Sequence, residues 1–178
     1  ATGNTGKPIA EALLKAGHKV RIISRDAEKA AALVAQGAEW INGSSTDRVT
    51  LTKALEGATA AYLMIPPSGQ APDFAAYQAE ATENIAQAIQ SSGLKNAVTL
   101  SSLGAHMTSG AGVVQGLHHF ENRLNQIQGL NVLHLRPTYF LENTLGQAGA
   151  VKMIGSMAGP LRGDLKMPMI ATQDIAHY

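Results

Sequence analysis

Val20-Arg21-Ile22-Ile23-Ser24-Arg25 is a β-branched run ending on a hydroxyl and a cation, one helix downstream of Ala1-Thr2-Gly3-Asn4-Thr5-Gly6. Between them, Lys7 to Ala16 reads as that helix. Pro8 suits its first turn, Ile9, Leu13 and Leu14 form an apolar stripe, and Gly17 ends it. The alternation continues outward. A second helix over 27–36 stops at Gly37, and a short strand covers Glu39 to Asn42. Thr50 to Glu56 predicts a helix, and Ala60 to Ile65 a buried strand closed by Pro66-Pro67-Ser68-Gly69. Phe74, Tyr77, Ala81, Ile85 and Ile89 recur at helical spacing within Phe74 to Ser91, which Gly93 terminates. Then come a strand (Ala97 to Leu100), a glycine- and serine-rich loop (Ser101 to Gly116), a helix (Leu117 to Gln128) and a strand (Val132 to Leu135). Near-continuous apolar strands alternating with helices predict an α/β fold with a doubly wound parallel sheet covered on both faces.

Composition narrows the function. The 178 residues include 14 Lys and Arg against 13 Asp and Glu, so nothing basic is set out for nucleic acid or an anionic membrane. One Trp, four Tyr and three Phe leave little for base-stacking platforms. The absence of cysteine removes disulfides, thiolate metal sites and a cysteine nucleophile together. No apolar run approaches the roughly 18–20 residues of a membrane helix. The expectation is a soluble, cytoplasmic protein without nucleic-acid or membrane partners.

The ends carry their own expectation. Residue 1 is Ala, and the glycine turn has no strand before it to aim it, although a phosphate-binding turn needs one. Ile175-Ala176-His177-Tyr178 stops inside the start of a helix. The reading is a chain lacking its first strand and the end of its C-terminal portion. Residues 1–136 form a nucleotide-binding domain and 137–178 the start of a smaller substrate-binding portion.

Gly3-Asn4-Thr5-Gly6 at the mouth of a helix suits a pyrophosphate, because glycines permit close backbone approach and the helix start offers free N–H groups. A P-loop is excluded, since Pro8 stands where Ser or Thr is needed and Ala1 where the first Gly belongs. About twenty residues on, a dinucleotide fold of the Rossmann type places an acid for the ribose 2′-hydroxyl or a cation for a 2′-phosphate. Here stand Ser24 and Arg25, with Lys29 a turn further on. A guanidinium fork matches phosphate, which favours NADP(H) over NAD(H); the plainer reading is a solvated Arg beside Asp26.

Ala1 to Gly6, Ser24-Arg25-Asp26, Leu100-Ser101-Ser102-Leu103-Gly104, Leu135-Arg136-Pro137-Thr138-Tyr139-Phe140-Leu141-Glu142-Asn143 and Ile170-Ala171-Thr172-Gln173-Asp174-Ile175 together resemble the NmrA-like group of atypical short-chain dehydrogenases. The Arg-Pro-x-x-Phe-x-Glu-Asn string is the most specific element. The resemblance implies that Gly3, Asn4, Thr5 and Gly6 hold the pyrophosphate and Arg25 the 2′-phosphate. It implies that Ile65 and Pro66 flank the adenosine and that Ser101 and Ser102 border the nicotinamide ribose. It implies that Pro137, Thr138, Tyr139 and Phe140 wall the nicotinamide. Ser44 after Gly43 departs from the group, whose members usually carry an Asp there for the adenine amino group.

Short-chain dehydrogenases use a tyrosine with a lysine four residues later to protonate the carbonyl. Tyr62, Tyr77 and Tyr139 lead instead to Pro66, Ala81 and Asn143, and Tyr178 is the last residue, so that pair is absent. No lysine lies between Lys95 and Lys152. His118 and His119 are candidate proton donors or packing and solvated histidines, and Tyr139 either stacks on a planar ring or packs half-buried. His118 with Glu121 lacks a visible third ligand, so no metal is expected. The methionines, Met64, Met153, Met157, Met167 and Met169 among them, either line an adaptable apolar pocket or fill the core. An acceptor is expected beyond Pro137 to Phe140, with 163–168 as the opposite wall. Two functions stay open. One is a reductase passing hydride to a small electrophile such as a quinone. The other is a non-catalytic NADP(H) sensor acting through a regulatory protein partner.

Overall fold

The computed structural model describes residues 1–157 and 162–178. The elements run α1 (Gly6–Lys15), β1 (Arg21–Ser24), α2 (Ala27–Ala35), β2 (Glu39–Asn42), α3 (Arg48–Leu55), β3 (Ala61–Leu63) and α4 (Phe74–Ser92). They continue with β4 (Asn96–Leu100), α5 (Gln115–Asn125), β5 (Asn131–Leu135), β6 (Tyr139–Phe140), α6 (Ala148–Ile154), β7 (Met169–Ile170) and α7 (Thr172–Ile175). Aspartates start three of the helices. Asp26, Asp47 and Asp73 accept from the backbone N–H groups of Lys29, Thr50 and Ala76 at 3.1, 2.8 and 2.9 Å. Each side chain satisfies a donor that the first helical turn leaves without a partner. The Asp47 cap begins α3 at Arg48, ahead of the apolar periodicity that suggested Thr50. Likewise α5 starts at Gln115 because a 3-10 turn over Gly112–Val114 feeds directly into it. Gly93 closes α4 at φ 69°, a left-handed conformation that glycine adopts without strain.

Among the described residues all strand pairs are parallel, as the alternation predicts. β1 pairs with β2 in the register Ile22↔Trp40, while β4 lies between β3 and β5 in the registers Tyr62↔Val98 and Thr99↔His134. These are two separate ladders, with no pairing between β1 and β3. The opening turn lies between them. Ala1 donates its backbone nitrogen to Ile23 O at 2.8 Å, and the Thr5 hydroxyl reaches Met64 Sδ at 3.8 Å.

Two apolar clusters follow the same division. Leu51, Leu55, Leu63, Ile85, Ile89, Phe120 and Leu124 belong to the larger, contributed by α3, α4, α5 and β3. Ala10, Ile22, Ala30, Leu33 and Ala38 form the smaller, between α1, α2 and β1. Beyond Arg136, β6 and β7 form a third parallel pair, Tyr139↔Met169 and Phe140↔Ile170. Two-residue strands are too short to leave a period in the sequence.

Candidate functional site

The glycine turn is built for close approach. A Cβ on Gly6 would lie 2.9 Å from both Cα and O of Ala1, so only glycine lets the helix start fold back on the first residue. A Cβ on Gly3 would meet nothing within 4 Å, so that side of the turn is open. No side chain caps α1. Its first turn closes with Lys7 N–H on Gly3 O at 3.0 Å, which leaves the N–H groups of Thr5 and Gly6 without a protein acceptor among the described residues. Unpaired donors at a helix start favour an anion.

At the end of β1 the three polar residues separate into different tasks. Ser24 is buried; its hydroxyl accepts from Asp26 N and donates to Asp26 O, both at 3.1 Å, so it shapes the turn. Lys29 Nζ lies 3.2 Å from Asp26 Oδ2. Arg25 is exposed and has no carboxylate partner among the described residues. Its charge acts on Tyr77: burial pushes the Tyr77 hydroxyl up, while Arg25 and a hydrogen bond with Thr46 pull it down. Tyr77 also donates to Pro66 O at 2.9 Å, tying α4 to the loop after β3. Ser44 Oγ lies 2.9 Å from Thr46 Oγ1 and accepts from Thr46 N at 3.2 Å, and Asn84 holds Thr46 O at 3.1 Å. Arg25, Thr46, Pro66 and Tyr77 therefore share one surface. Ile65, by contrast, sends its side chain into the larger core.

The second group lies where β4 and β5 end. Ser101 is buried and donates to Glu121 Oε1 at 2.5 Å. Arg136 donates through Nε to the same oxygen at 2.9 Å and through Nη2 to Oε2 at 2.5 Å. Burial alone would raise the Glu121 carboxyl, but the Arg136 guanidinium and the Ser101 hydroxyl outweigh it and hold the group below its ordinary value. The ladder runs on past both strands, with Ser101 N on Leu135 O at 2.7 Å and Leu103 N on Pro137 O at 2.9 Å. Ser102 donates to Leu103 O at 3.2 Å. Pro137, Thr138, Tyr139 and Phe140 are all half-buried. Beyond them, Glu142 Oε1 accepts from Thr172 N at 2.8 Å and from the Thr172 hydroxyl at 2.7 Å, which fastens α7 to the segment after β6.

The histidines resolve into distinct environments. Both His118 nitrogens are occupied, Nδ1 by Ala105 O at 2.8 Å and Nε2 by Asn122 Nδ2 at 2.9 Å, a structural arrangement that leaves no lone pair for a metal. No group of three His, Asp or Glu suited to a metal occurs among the described residues. His119 is exposed and lines a crevice between α4 and α5 with Phe74, Gln78, Val113 and Gly116. His134 Nδ1 lies 2.7 Å from the fully buried Thr99 hydroxyl, and Nε2 lies 3.2 Å from Asn125 Oδ1.

Sequence reading did not assign Thr46, Tyr77 or the Glu121–Arg136 pair to the site. A signal for Glu121 was present: it stands four residues after Leu117 and three before Leu124, on the apolar stripe of α5. A charge there needs a partner.

A parallel α/β sheet with an open glycine turn at a helix start defines a dinucleotide-binding protein. A family model described as NAD(P)H-binding matches residues 1–178, and the chain belongs to that family. It is 26% identical over 176 residues to the (4-alkanoyl-5-oxo-2,5-dihydrofuran-3-yl)methyl phosphate reductase of Streptomyces griseus, covering 99% of this chain and 58% of that protein. It is 27% identical over 175 residues to the NAD(P)H azoreductase of Xenophilus azovorans, covering 98% and 58%. Among solved structures it superimposes on the NADPH-dependent quinone oxidoreductase QOR2 of Escherichia coli in complex with NADPH. The TM-score is 0.80 at 29% identity, over 99% of this chain and 60% of that one. The chain thus spans about 58% of the length of these curated relatives. Among the described residues no helix is long and apolar enough to cross a membrane.

Proposed function

We propose that the protein is an NADPH-dependent reductase that passes hydride directly to a small electrophilic acceptor, a quinone being the best fit. The cofactor supplies the hydride. Gly3 to Gly6 receive the pyrophosphate, Arg25 the 2′-phosphate, and Ser101, Ser102 and Pro137 to Phe140 border the nicotinamide. The observation that carries this reading is the state of the polar groups beside Ser101. Glu121 is clamped by Arg136, both His118 nitrogens are occupied, and none of Tyr62, Tyr77 and Tyr139 has a lysine four residues on. An acceptor that needs little help from a general acid suits such a crevice. The reductases among the relatives support the same class, and the preference for NADPH rests on the uncommitted guanidinium of Arg25.

Incubation of the whole protein with NADPH and a panel of small quinones tests the proposal. Loss of NADPH absorbance that depends on the quinone is expected. Binding of NADPH with no oxidation by any acceptor would favour the sensing role instead.

A further inference from the structure

Glu121 takes part in neither the phosphate cradle nor the adenosine surface, yet it is the most deeply buried charged side chain of the site, 4% exposed beside an Arg136 that is 42% exposed. A buried ion pair is a weak source of stability, since apolar replacements of similar volume often serve as well. Its value here is geometric. From one position on α5 the carboxylate takes three donors, and these come from both loops that leave the sheet: Ser101 after β4 and Arg136 after β5.

We infer that Glu121 is a positioning residue for the nicotinamide end of the cofactor, holding the Ser101 hydroxyl and, through Arg136, the Pro137 to Phe140 wall in one fixed relation. This rests on the NADP(H)-binding reading above. With its hydrogen committed to Glu121, the Ser101 oxygen has only acceptor capacity left, which suits a ribose hydroxyl or a carboxamide N–H and not a carbonyl. Ser101 N on Leu135 O and Leu103 N on Pro137 O tie the same two loops by their backbones. Glu121 adds the strut from the helix behind them, and misplacement of a reacting group by about 1 Å costs about 100-fold in rate.

The test uses the whole protein, its Glu121→Gln and Glu121→Asp variants, and Ser101→Ala as a second route that leaves the ion pair intact. NADPH affinity, the emission of bound reduced nicotinamide and single-turnover hydride transfer to a small quinone are measured on each. For Glu121→Gln, affinity is expected to stay within about threefold, because the phosphates are held elsewhere. Its emission moves toward that of free NADPH, and transfer slows by about 10–100-fold. Ser101→Ala shifts the emission in the same direction, and Glu121→Asp recovers part of the transfer rate. A merely structural role would lower the thermal midpoint while leaving bound-nicotinamide emission and transfer unchanged in the folded fraction; that result overturns the inference. So does an affinity loss that matches the rate loss. If the parent binds NADPH but reduces no quinone, the reductase reading fails by itself and the emission comparison decides the positioning role. If the parent binds no NADPH, both fall.

Discussion

Lys29 Nζ sits 3.2 Å from Asp26 Oδ2, and this pairing neutralises the acid that follows Arg25. Asp26 is further occupied in capping α2 through Lys29 N. The end of β1 therefore presents one uncommitted cation, where the sequence offered a hydroxyl, a guanidinium and an ammonium together.

Arg25→Ala is expected to weaken NADPH binding by about 1.5–3 kcal/mol, roughly 10–150-fold, the worth of a charge-assisted hydrogen bond. NADH binding should be nearly unaffected, and Lys29→Ala should cost NADPH far less than Arg25→Ala does. Fluorescence titration of both cofactors checks this. Equal affinity of the parent for NADPH and NADH would remove Arg25 from the 2′-phosphate role.

Acid stability should fall in two stages. Burial lowers the His134 imidazole from its ordinary 6.5, with Arg136 adding to the effect and Glu121 opposing it. The unfolded chain then binds a proton that the folded one refuses, so stability declines as pH drops from about 6.5 toward the lower folded value. The Glu121 carboxyl is also lowered from 4.5. Its contribution is complete above that value and disappears as pH falls through the folded one. Thermal midpoints measured from pH 8 to 3 should show both declines. His134→Gln should remove the first, and Glu121→Gln should reduce the second, which the lowered carboxyls of Asp26, Asp47, Glu83 and Glu142 share.

Kinetics should separate Tyr139 from His119. Tyr139→Ala is expected to raise KM by about 2–10-fold through loss of ring contact, with a smaller effect on kcat. His119 lines the crevice on the α4–α5 flank, so His119→Ala should retain most turnover. Abolished turnover with KM intact would make His119 the proton donor.

Glu142→Ala should loosen the segment around β7 and α7, because Thr172 loses both its backbone and hydroxyl acceptors. Amide exchange is expected to quicken at Thr172 and in the turn after it, while the buried amides of α4 and β4 keep their protection. Uniform protection across the variant would show that the β6–β7 pairing alone holds the segment.

The sequence disclosed the elements that repeat a period or carry a stop signal. Phe74 to Ser91 stood out because five apolar residues recur at helical spacing before Gly93, and the helix ends one residue later, at Ser92. The glycine turn and Arg25 were legible for a similar reason, since each depends on local chemistry. What depended on distant partners was not. Glu121 finds Ser101 twenty residues away and Arg136 fifteen, and Tyr77 finds Pro66 only through the path of the loop between them. The Ser24 hydroxyl looked available to a phosphate until its turn with Asp26 was drawn.

The two apolar clusters bear on cooperativity. α1, α2 and β1 share the smaller, and α3, α4, α5 and β3 the larger, against which Ile23 also packs. On the proposed reading a dinucleotide lies across the glycine turn, with Arg25 at one end and Ser101 at the other, and so touches elements of both. Its binding is expected to raise the unfolding transition and to sharpen it, because a ligand held by both clusters couples their opening.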